Sequence, residues 1–127
     1  MSAIRIRGLL QINPRQLEAF QAMAEQLVIA TKQKDPGTLG YDYFIDYELE
    51  KALVLEHYDS IDSFLAHLSN IKPVAVKFAA TFKVELLEVC GDVTPQLAAM
   101  MKEITGEANL EHPKRCRFYR LLTGLSA

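Results

Sequence analysis

The sequence predicts an α+β domain in which a four-stranded antiparallel sheet is covered on one face by helices. Apolar residues alternate along residues 3–12, which is typical of a half-buried strand. Apolar residues between Leu17 and Thr31 recur at helical spacing instead. Two strand-like segments, residues 39–47 and 52–58, are separated by a short polar turn. These observations predict the start of the order β-α-β-β-α-β, and the C-terminal part of the chain adds a helix and a strand.

The first strand has an apolar side and a mixed side, and it leads directly into the first helix. Ile4, Ile6 and Leu10 lie on the apolar side, which we expect to face the helices. The mixed side consists of Arg5, Arg7, Leu9 and Gln11. Asn13-Pro14 predicts the helix start, because asparagine can cap and proline suits the first helical position.

The second half of the chain is assigned from helix caps, turns and proline. Asp59 or Ser60 is expected to cap a short helix that Pro73 breaks or kinks, and a fourth strand follows within residues 81–90. Thr94-Pro95 starts another helix. Its predicted buried residues are Leu97, Met100, Met101 and Ile104, with a stop at Gly106 and a last strand in "CRFYRLL". We expect residues 1–127 to form a single domain.

Composition excludes several classes of protein. The net charge is −2 over 127 residues, and the basic residues near the C-terminus form no nucleic-acid-binding motif. The N-terminus carries interleaved arginines and predicts neither a signal peptide nor a membrane span, so cytoplasmic residence is expected. The two cysteines, Cys90 and Cys116, are too few for a disulfide scaffold and lack metal-ligand spacing. We therefore expect no metal, no membrane and no nucleic acid as partners.

The central hairpin decides which residues face away from the helices. In the simplest register Tyr47 pairs with Ala52. One side of the hairpin then carries Tyr41, Tyr43, Glu56 and Tyr58, and the other carries Phe44, Leu53 and Leu55 with His57 near Asp42. We assign the tyrosine side to the open face, together with Arg7, although a slip of one residue would exchange the two sides.

An open face of this composition predicts a homodimer. It is too apolar to be left in water and too polar for an ordinary core. Two copies packed face to face would bury it and enclose a cavity lined by tyrosine, arginine and glutamate. The alternative is that the face is only an interface and carries no chemistry.

Several segments in order resemble the antibiotic biosynthesis monooxygenase-like family of the dimeric α/β barrel superfamily. They are "DPGTLGYDYF", "LVLEHYDSIDSFLAHLSN" and "LLEVCGDVTPQL", and the resemblance spans about residue 4 to residue 122. It implies a ferredoxin-like sheet that forms a dimeric α/β barrel with a second copy. Some relatives oxidise quinols or polycyclic phenols with molecular oxygen and without metal or flavin.

The resemblance thus implies a monooxygenase that needs no cofactor and acts on a quinol or another aromatic or phenolic small molecule. The alternative is a non-catalytic dimer of the same fold that binds a small molecule or is purely structural. The chain has no tryptophan, and Tyr58 stands where some catalytic relatives have one. The haem-degrading branch requires an asparagine, a tryptophan and a haem-binding histidine that this sequence does not supply, which disfavours a haem protein.

The candidate catalytic residues are Glu56 and His67, the latter in the alanine-histidine pair that resembles the family pattern. Glu56 is expected either to pair with Arg7 or Arg5 or, if dry and unpaired, to act as a base with a raised pKa. His67 either moves protons or holds its helix to a backbone carbonyl. The candidate substrate-binding residues are Arg7, Tyr41, Tyr43, Tyr58 and Asn70. The tyrosines could instead pack an interface, and Asn70 could cap its helix.

Overall fold

The computed structural model describes residues 3–104 and 115–124 and confirms the predicted order of elements. In chain order the elements are β1 (Ile4–Ile12), α1 (Leu17–Lys34), β2 (Thr38–Asp46), β3 (Lys51–Tyr58), α2 (Ile61–Phe78), β4 (Phe82–Cys90), α3 (Pro95–Ile104) and β5 (Cys116–Tyr119). One turn of 3₁₀ helix, Ala79–Thr81, connects α2 to β4.

The strands form one five-stranded mixed sheet in the order β2-β3-β1-β4-β5. The pairs β1–β3, β1–β4 and β2–β3 are antiparallel, whereas β5 pairs with β4 in parallel. The sequence had left the partner of β5 open. The predicted α+β class is confirmed, and the sheet of the single chain is open rather than closed into a barrel.

The start of α1 differs from the prediction. Gln16 precedes the helix without a side-chain cap, and Arg15 in the turn before it adopts a left-handed φ of 66°. Asn13 does not cap α1. Its side-chain Nδ2 instead donates to the carbonyl oxygen of Ala80 at 3.0 Å, which ties the turn to the connection between α2 and β4.

The second helix is longer than predicted, because it continues unbroken through Pro73. Ser60 caps it, as expected, by accepting the backbone N–H of Ser63 at 3.1 Å. Proline has no N–H to donate to the carbonyl of Ser69, one turn earlier. Both Ser69 and Pro73 are exposed, so water is available to that carbonyl.

The hairpin register differs from the simplest one by two residues. Asp46 pairs with Lys51 and Tyr41 pairs with Glu56. The turn therefore comprises residues 47–50, where the N–H of Leu49 donates to the Asp46 carboxyl at 3.0 Å and Glu50 has a φ of 52°. A shift of two residues leaves every side chain of the hairpin on its original side.

The assignment of the hairpin's two sides was wrong. On β3, Glu56 pairs with Ile6 of β1, and Tyr58 pairs with Ile4. Since paired residues project from the same face, Glu56 and Tyr58 share the helix-covered face with these buried isoleucines. The open face carries the set expected to be covered, with Phe44 and Leu55 exposed and Leu53 half-buried.

The helix-covered face holds two clusters of buried apolar side chains. One includes Ile4, Ile6, Tyr58, Phe64, Leu87, Val89, Leu97 and Met101. The other includes Leu10, Ile12, Phe20, Leu27, Tyr41, Val54, Ile71 and Phe78. Glu56 lies between them, since it pairs with Tyr41 of the second cluster and is hydrogen-bonded to Tyr58 of the first. A carboxyl group is thus enclosed where the apolar core is divided.

Candidate functional site

A cleft of about 510 Å³ separates α1 from β2, the strand at the edge of the sheet. Its lining residues are Gln21, Ala24, Glu25, Val28, Ile29, Tyr41, Asp42, Tyr43, Ile45 and Tyr47. The Gln21 side chain donates to the Tyr47 hydroxyl at 3.0 Å, which joins α1 to the end of β2 across this cleft. The cleft has a mainly apolar wall and three tyrosines, a composition that suits a planar aromatic ligand.

Two of the tyrosines form a hydroxyl pair. The hydroxyl oxygens of Tyr41 and Tyr43 are 2.8 Å apart, and their rings meet edge to face with centroids 5.3 Å apart. Burial raises the pKa of both hydroxyl groups above the ordinary tyrosine range, and the nearby Glu56 adds to the shift. Both groups therefore stay protonated at neutral pH. One donates to the other, and the remaining O–H can donate to an oxygen atom of a ligand.

Glu56 is the buried carboxyl group of the site. Part of the residue borders the open face, but the carboxyl group is enclosed and accepts a hydrogen bond from the Tyr58 hydroxyl. Burial raises the pKa of Glu56 to about 7, while the hydrogen bond from Tyr58 opposes that shift. Among the described residues Glu56 forms no ion pair with Arg5 or Arg7, and its enclosed carboxyl with a raised pKa agrees with the alternative expectation.

His67 lies on α2 above these groups and is almost completely buried. Its ring packs edge to face on Tyr41, with centroids 4.7 Å apart, and lies 5.3 Å from the ring of Tyr58. Its Nδ1 atom is 3.1 Å from Oδ2 of Asp35 and 3.3 Å from Oγ1 of Thr31. Burial lowers the pKa of His67, and the neighbouring Asp35 opposes that shift.

Asn70 belongs to the same network. Its Nδ2 atom donates to Asp35 Oδ2 at 3.1 Å and to the carbonyl oxygen of Ala30 at 3.2 Å. Sequence reasoning missed Asp35, although one signal was present. His67 and Asn70 are three residues apart, so they share one face of α2 and can hold the same partner.

The remaining candidates lie on the open face of the sheet. Arg7, half-exposed, forms an ion pair with Glu88 at 2.5 Å, so the structure separates it from the cleft. His57, which we expected to lie near Asp42, forms no ion pair with it within the described ranges, residues 3–104 and 115–124. Burial and the charge of Arg5 lower the pKa of His57. The predicted helix stop at Gly106 lies outside the described residues.

The described residues contain no group of three or more histidine, cysteine, aspartate or glutamate side chains arranged to hold a metal ion. In the same part of the chain, no helix is long and apolar enough to cross a membrane. Cys90 is exposed and Cys116 is buried, and neither forms a disulfide bond in the described part of the chain.

A split βαβ sheet with an aromatic cleft beside a buried carboxyl defines an α+β domain of the ferredoxin-like class. The sequence profile described as antibiotic biosynthesis monooxygenase matches residues 3–81, and the chain belongs to this family. The resemblance in the sequence is thereby confirmed. None of the curated proteins compared with the chain matches it.

Solved structures support the fold. MupZ from Pseudomonas fluorescens superposes with a TM-score of 0.72 at 19% identity, covering 98% of this chain and 94% of MupZ. A Caulobacter crescentus protein, described as a candidate antibiotic biosynthesis monooxygenase, superposes with a TM-score of 0.63 at 23% identity, covering 69% of this chain and 87% of that one. Rv0793 from Mycobacterium tuberculosis gives a TM-score of 0.60 at 14% identity, covering 73% and 94%. Similarity at these identities concerns the fold alone.

Proposed function

We propose that the chain is a cytoplasmic, homodimeric monooxygenase that needs no cofactor and oxidises a quinol or another phenolic aromatic molecule. The observation that carries this proposal is the enclosed carboxyl group of Glu56, whose pKa of about 7 suits a general base at neutral pH. It lies beside three tyrosines, two of which line the cleft between α1 and β2.

The cleft supports a planar phenol as the ligand. Ala24, Val28 and Ile45 offer apolar surface to the rings, and the hydroxyl pair of Tyr41 and Tyr43 can donate to a phenolic oxygen. The negative charge that forms on deprotonation of the phenol would be stabilised by the same hydroxyl groups. Because these groups stay neutral at physiological pH, they stabilise the anion without competing for its proton.

The chemistry balances with molecular oxygen as the only oxidant. The base removes a proton from the phenol or from its acidic ring carbon, and the resulting anion supplies electrons to oxygen as a carbon–oxygen bond forms. The peroxide takes up a proton, the remaining hydrogen on that carbon is removed as a proton, and the oxygen–oxygen bond breaks with loss of water. One oxygen atom becomes a quinone carbonyl and the other becomes water, while the substrate supplies all four electrons.

The sequence of proton transfers gives roles to three residues. Glu56 takes the first proton, and Tyr41, its partner across the strands, passes it on from the substrate, since a hydroxyl group both donates and accepts. His67, whose ring lies against Tyr41, returns a proton to the peroxide oxygen. Each turnover removes two protons from the substrate and delivers two to oxygen, so the protein returns to its starting state.

Dimerisation is supported by the open face of the sheet. Phe44 is 53% exposed and Leu55 is 39% exposed, with Leu9, Leu53 and Leu86 half-buried beside them. Phe44, Leu53, Leu9 and Leu86 form an apolar row across four strands of this face. Such a row is unfavourable in water, and a second copy would cover it by sheet-on-sheet packing. Two such open sheets, face to face, would complete the barrel that one chain leaves open.

Oxygen uptake with a panel of naphthohydroquinones and anthrones tests the proposal. We expect at least one compound to be consumed with one oxygen molecule per quinone formed. The Glu56→Gln variant should lose this activity, whereas Glu18→Gln, which alters an exposed carboxyl in the first turn of α1, should keep it. Saturable binding of panel compounds without oxygen uptake would instead indicate the non-catalytic binding protein.

A further inference from the structure

Asp35 is held by hydrogen bonds to two elements of the fold. Its Oδ2 atom is 3.1 Å from Nδ1 of His67 and 3.1 Å from Nδ2 of Asn70, both on α2. Its backbone N–H donates to the carbonyl oxygen of Thr31 at 2.9 Å, at the C-terminal end of α1. Asp35 and His67 are both buried, so this arrangement is shielded from competing water.

The chemistry of these partners determines which nitrogen of His67 carries the proton. An ionised carboxylate only accepts hydrogen bonds, and it already accepts one from the amide of Asn70. A contact of 3.1 Å between Asp35 Oδ2 and Nδ1 therefore requires a proton on Nδ1. A neutral imidazole with its proton on Nδ1 has a lone pair on Nε2.

The ring of His67 lies against the aromatic side chains of the proposed site. The two nitrogens of an imidazole point in diverging directions, so Nε2 faces away from Asp35. The ring is flanked by Tyr41 and Tyr58, the aromatic neighbours of the Glu56 carboxyl. Among the residues that the structure describes, none forms a hydrogen bond with Nε2.

We infer that Asp35 is a positioning residue, which fixes His67 in the tautomer that presents an unprotonated Nε2 to the tyrosine-lined site. Asn70 supports this role, since its amide donates to the same oxygen atom of Asp35 that contacts Nδ1 of His67. The inference rests on the proposed function for its catalytic consequence, because a fixed acceptor allows His67 to take up a proton and return it to the peroxide. Its structural content, the tautomer of one histidine, does not depend on any activity.

Nitrogen-15 NMR of the full-length wild-type protein tests the tautomer directly. The chain has three histidines, so the signals of His67 can be assigned with His57→Gln and His67→Gln variants. We expect the two-bond proton–nitrogen coupling pattern of an imidazole protonated at Nδ1. A wild-type spectrum showing the proton on Nε2 overturns the inference, whatever the protein is found to catalyse.

The Asp35→Asn variant tests the consequence of losing the carboxylate. The amide nearly keeps the shape of the side chain but no longer accepts with both oxygen atoms, so the Nε2-protonated form of His67 should become populated. With a panel compound that the wild-type protein oxidises, we expect kcat of the variant to fall about tenfold or more while KM changes less than about twofold. Asp62→Asn, an exposed change in the first turn of the same helix, serves as the matched control.

The measurements separate the outcomes. If Asp35 only supports the fold, Asp35→Asn lowers the thermal midpoint, while kcat per folded molecule and the tautomer of His67 stay at wild-type values, and the inference fails. If the wild type consumes no oxygen, the proposed function fails, but the NMR spectra still decide whether Asp35 sets the tautomer. A shifted tautomer together with a lowered kcat supports both.

Discussion

Compared with a simple soluble domain, the helix-covered face of this sheet encloses more polar side chains, and the open face exposes more apolar ones. The covered face encloses Glu56 and His67 among its apolar side chains, and the open face exposes Phe44 and Leu55 to water. In a self-sufficient monomer we would expect the covered face to be apolar and the open face to be polar. Both departures weaken the isolated chain.

The two faces therefore have different tasks. A buried, hydrogen-bonded polar group costs stability that a purely apolar core would not lose, so its presence indicates chemistry or binding rather than folding. An exposed apolar sheet face indicates a partner. Adjacent positions on β3 therefore test the two tasks separately, since Leu55 and Glu56 project to opposite faces of the same strand.

The largest effect is expected for Glu56→Gln on catalysis. Removing a general base should lower kcat by about 10²- to 10⁴-fold, because the amide cannot accept the proton. The proposed dimer should persist, since the side chain points beneath the helices. Oxygen electrode traces and sedimentation measure the two properties, and an active Glu56→Gln protein would show that the proton goes elsewhere.

A second effect concerns the pH dependence of stability. The pKa of Glu56 is raised from 4.5 in the unfolded chain to about 7 in the folded protein, so its stabilising contribution is present below pH 4.5 and is lost as the pH rises through 7. The full loss corresponds to about 3 kcal/mol.

Urea unfolding at pH 5 and pH 8 measures this contribution, with wild type and Glu56→Gln at equal protein concentration. The unfolding free energy of Glu56→Gln minus that of wild type should be about 2–3 kcal/mol larger at pH 8 than at pH 5. The lowered pKa of His67 has the opposite effect, because its contribution is lost as the pH falls, but both proteins share it. Equal differences at the two pH values would contradict a buried, ionising Glu56.

A third effect concerns the open face. Leu55→Arg should weaken the dimer by about 2 kcal/mol, roughly a 30-fold rise in the dissociation constant, because a charge would be buried between the two sheets. Leu65→Arg is the matched control, since Leu65 on α2 is also 39% exposed but lies on the outer helical surface. Analytical ultracentrifugation over a concentration series measures both. Equal behaviour of the two variants would place the interface elsewhere.

The smallest effect is expected for Arg7→Met. Arg7 is 50% exposed and pairs with Glu88 on the open face, so its loss should change the unfolding free energy by less than about 1 kcal/mol. KM for a panel substrate should stay within about twofold of wild type, because Arg7 does not line the cleft beside Tyr41. A large rise in KM would indicate that the open face takes part in substrate binding, as the sequence first suggested.

The sequence predicted the elements well because local patterns determine them. The alternation from Ile4 to Leu10 assigned both faces of β1 correctly, since one side is uniformly apolar. The hairpin lacks such a contrast. Both sides of the hairpin carry apolar residues, Phe44 and Leu55 on one side and Ala52 and Val54 on the other. Only the pairing with β1 decides which side faces the helices. That pairing joins distant parts of the chain, so no local pattern reveals it.

The sequence identified candidate site residues but not the contacts between them. Glu56, His67 and the tyrosines were identified from residue type and resemblance, and the structure brings them together beneath the helices. Asp35 was missed because its role depends on the approach of α1 to α2, which places residues 32 positions apart in contact. Such contacts arise from tertiary packing, which helical periodicity alone does not specify.

The clustering of tyrosines gives the protein a built-in optical probe. The chain contains five tyrosines and no tryptophan, and four of the five either line the cleft or lie beside Glu56. Ultraviolet emission of the unmodified chain therefore originates mainly from the site, without the tryptophan background that masks tyrosine in most proteins. Ligand entry and the ionisation of the neighbouring carboxyl can both be followed by fluorescence quenching, with no label attached.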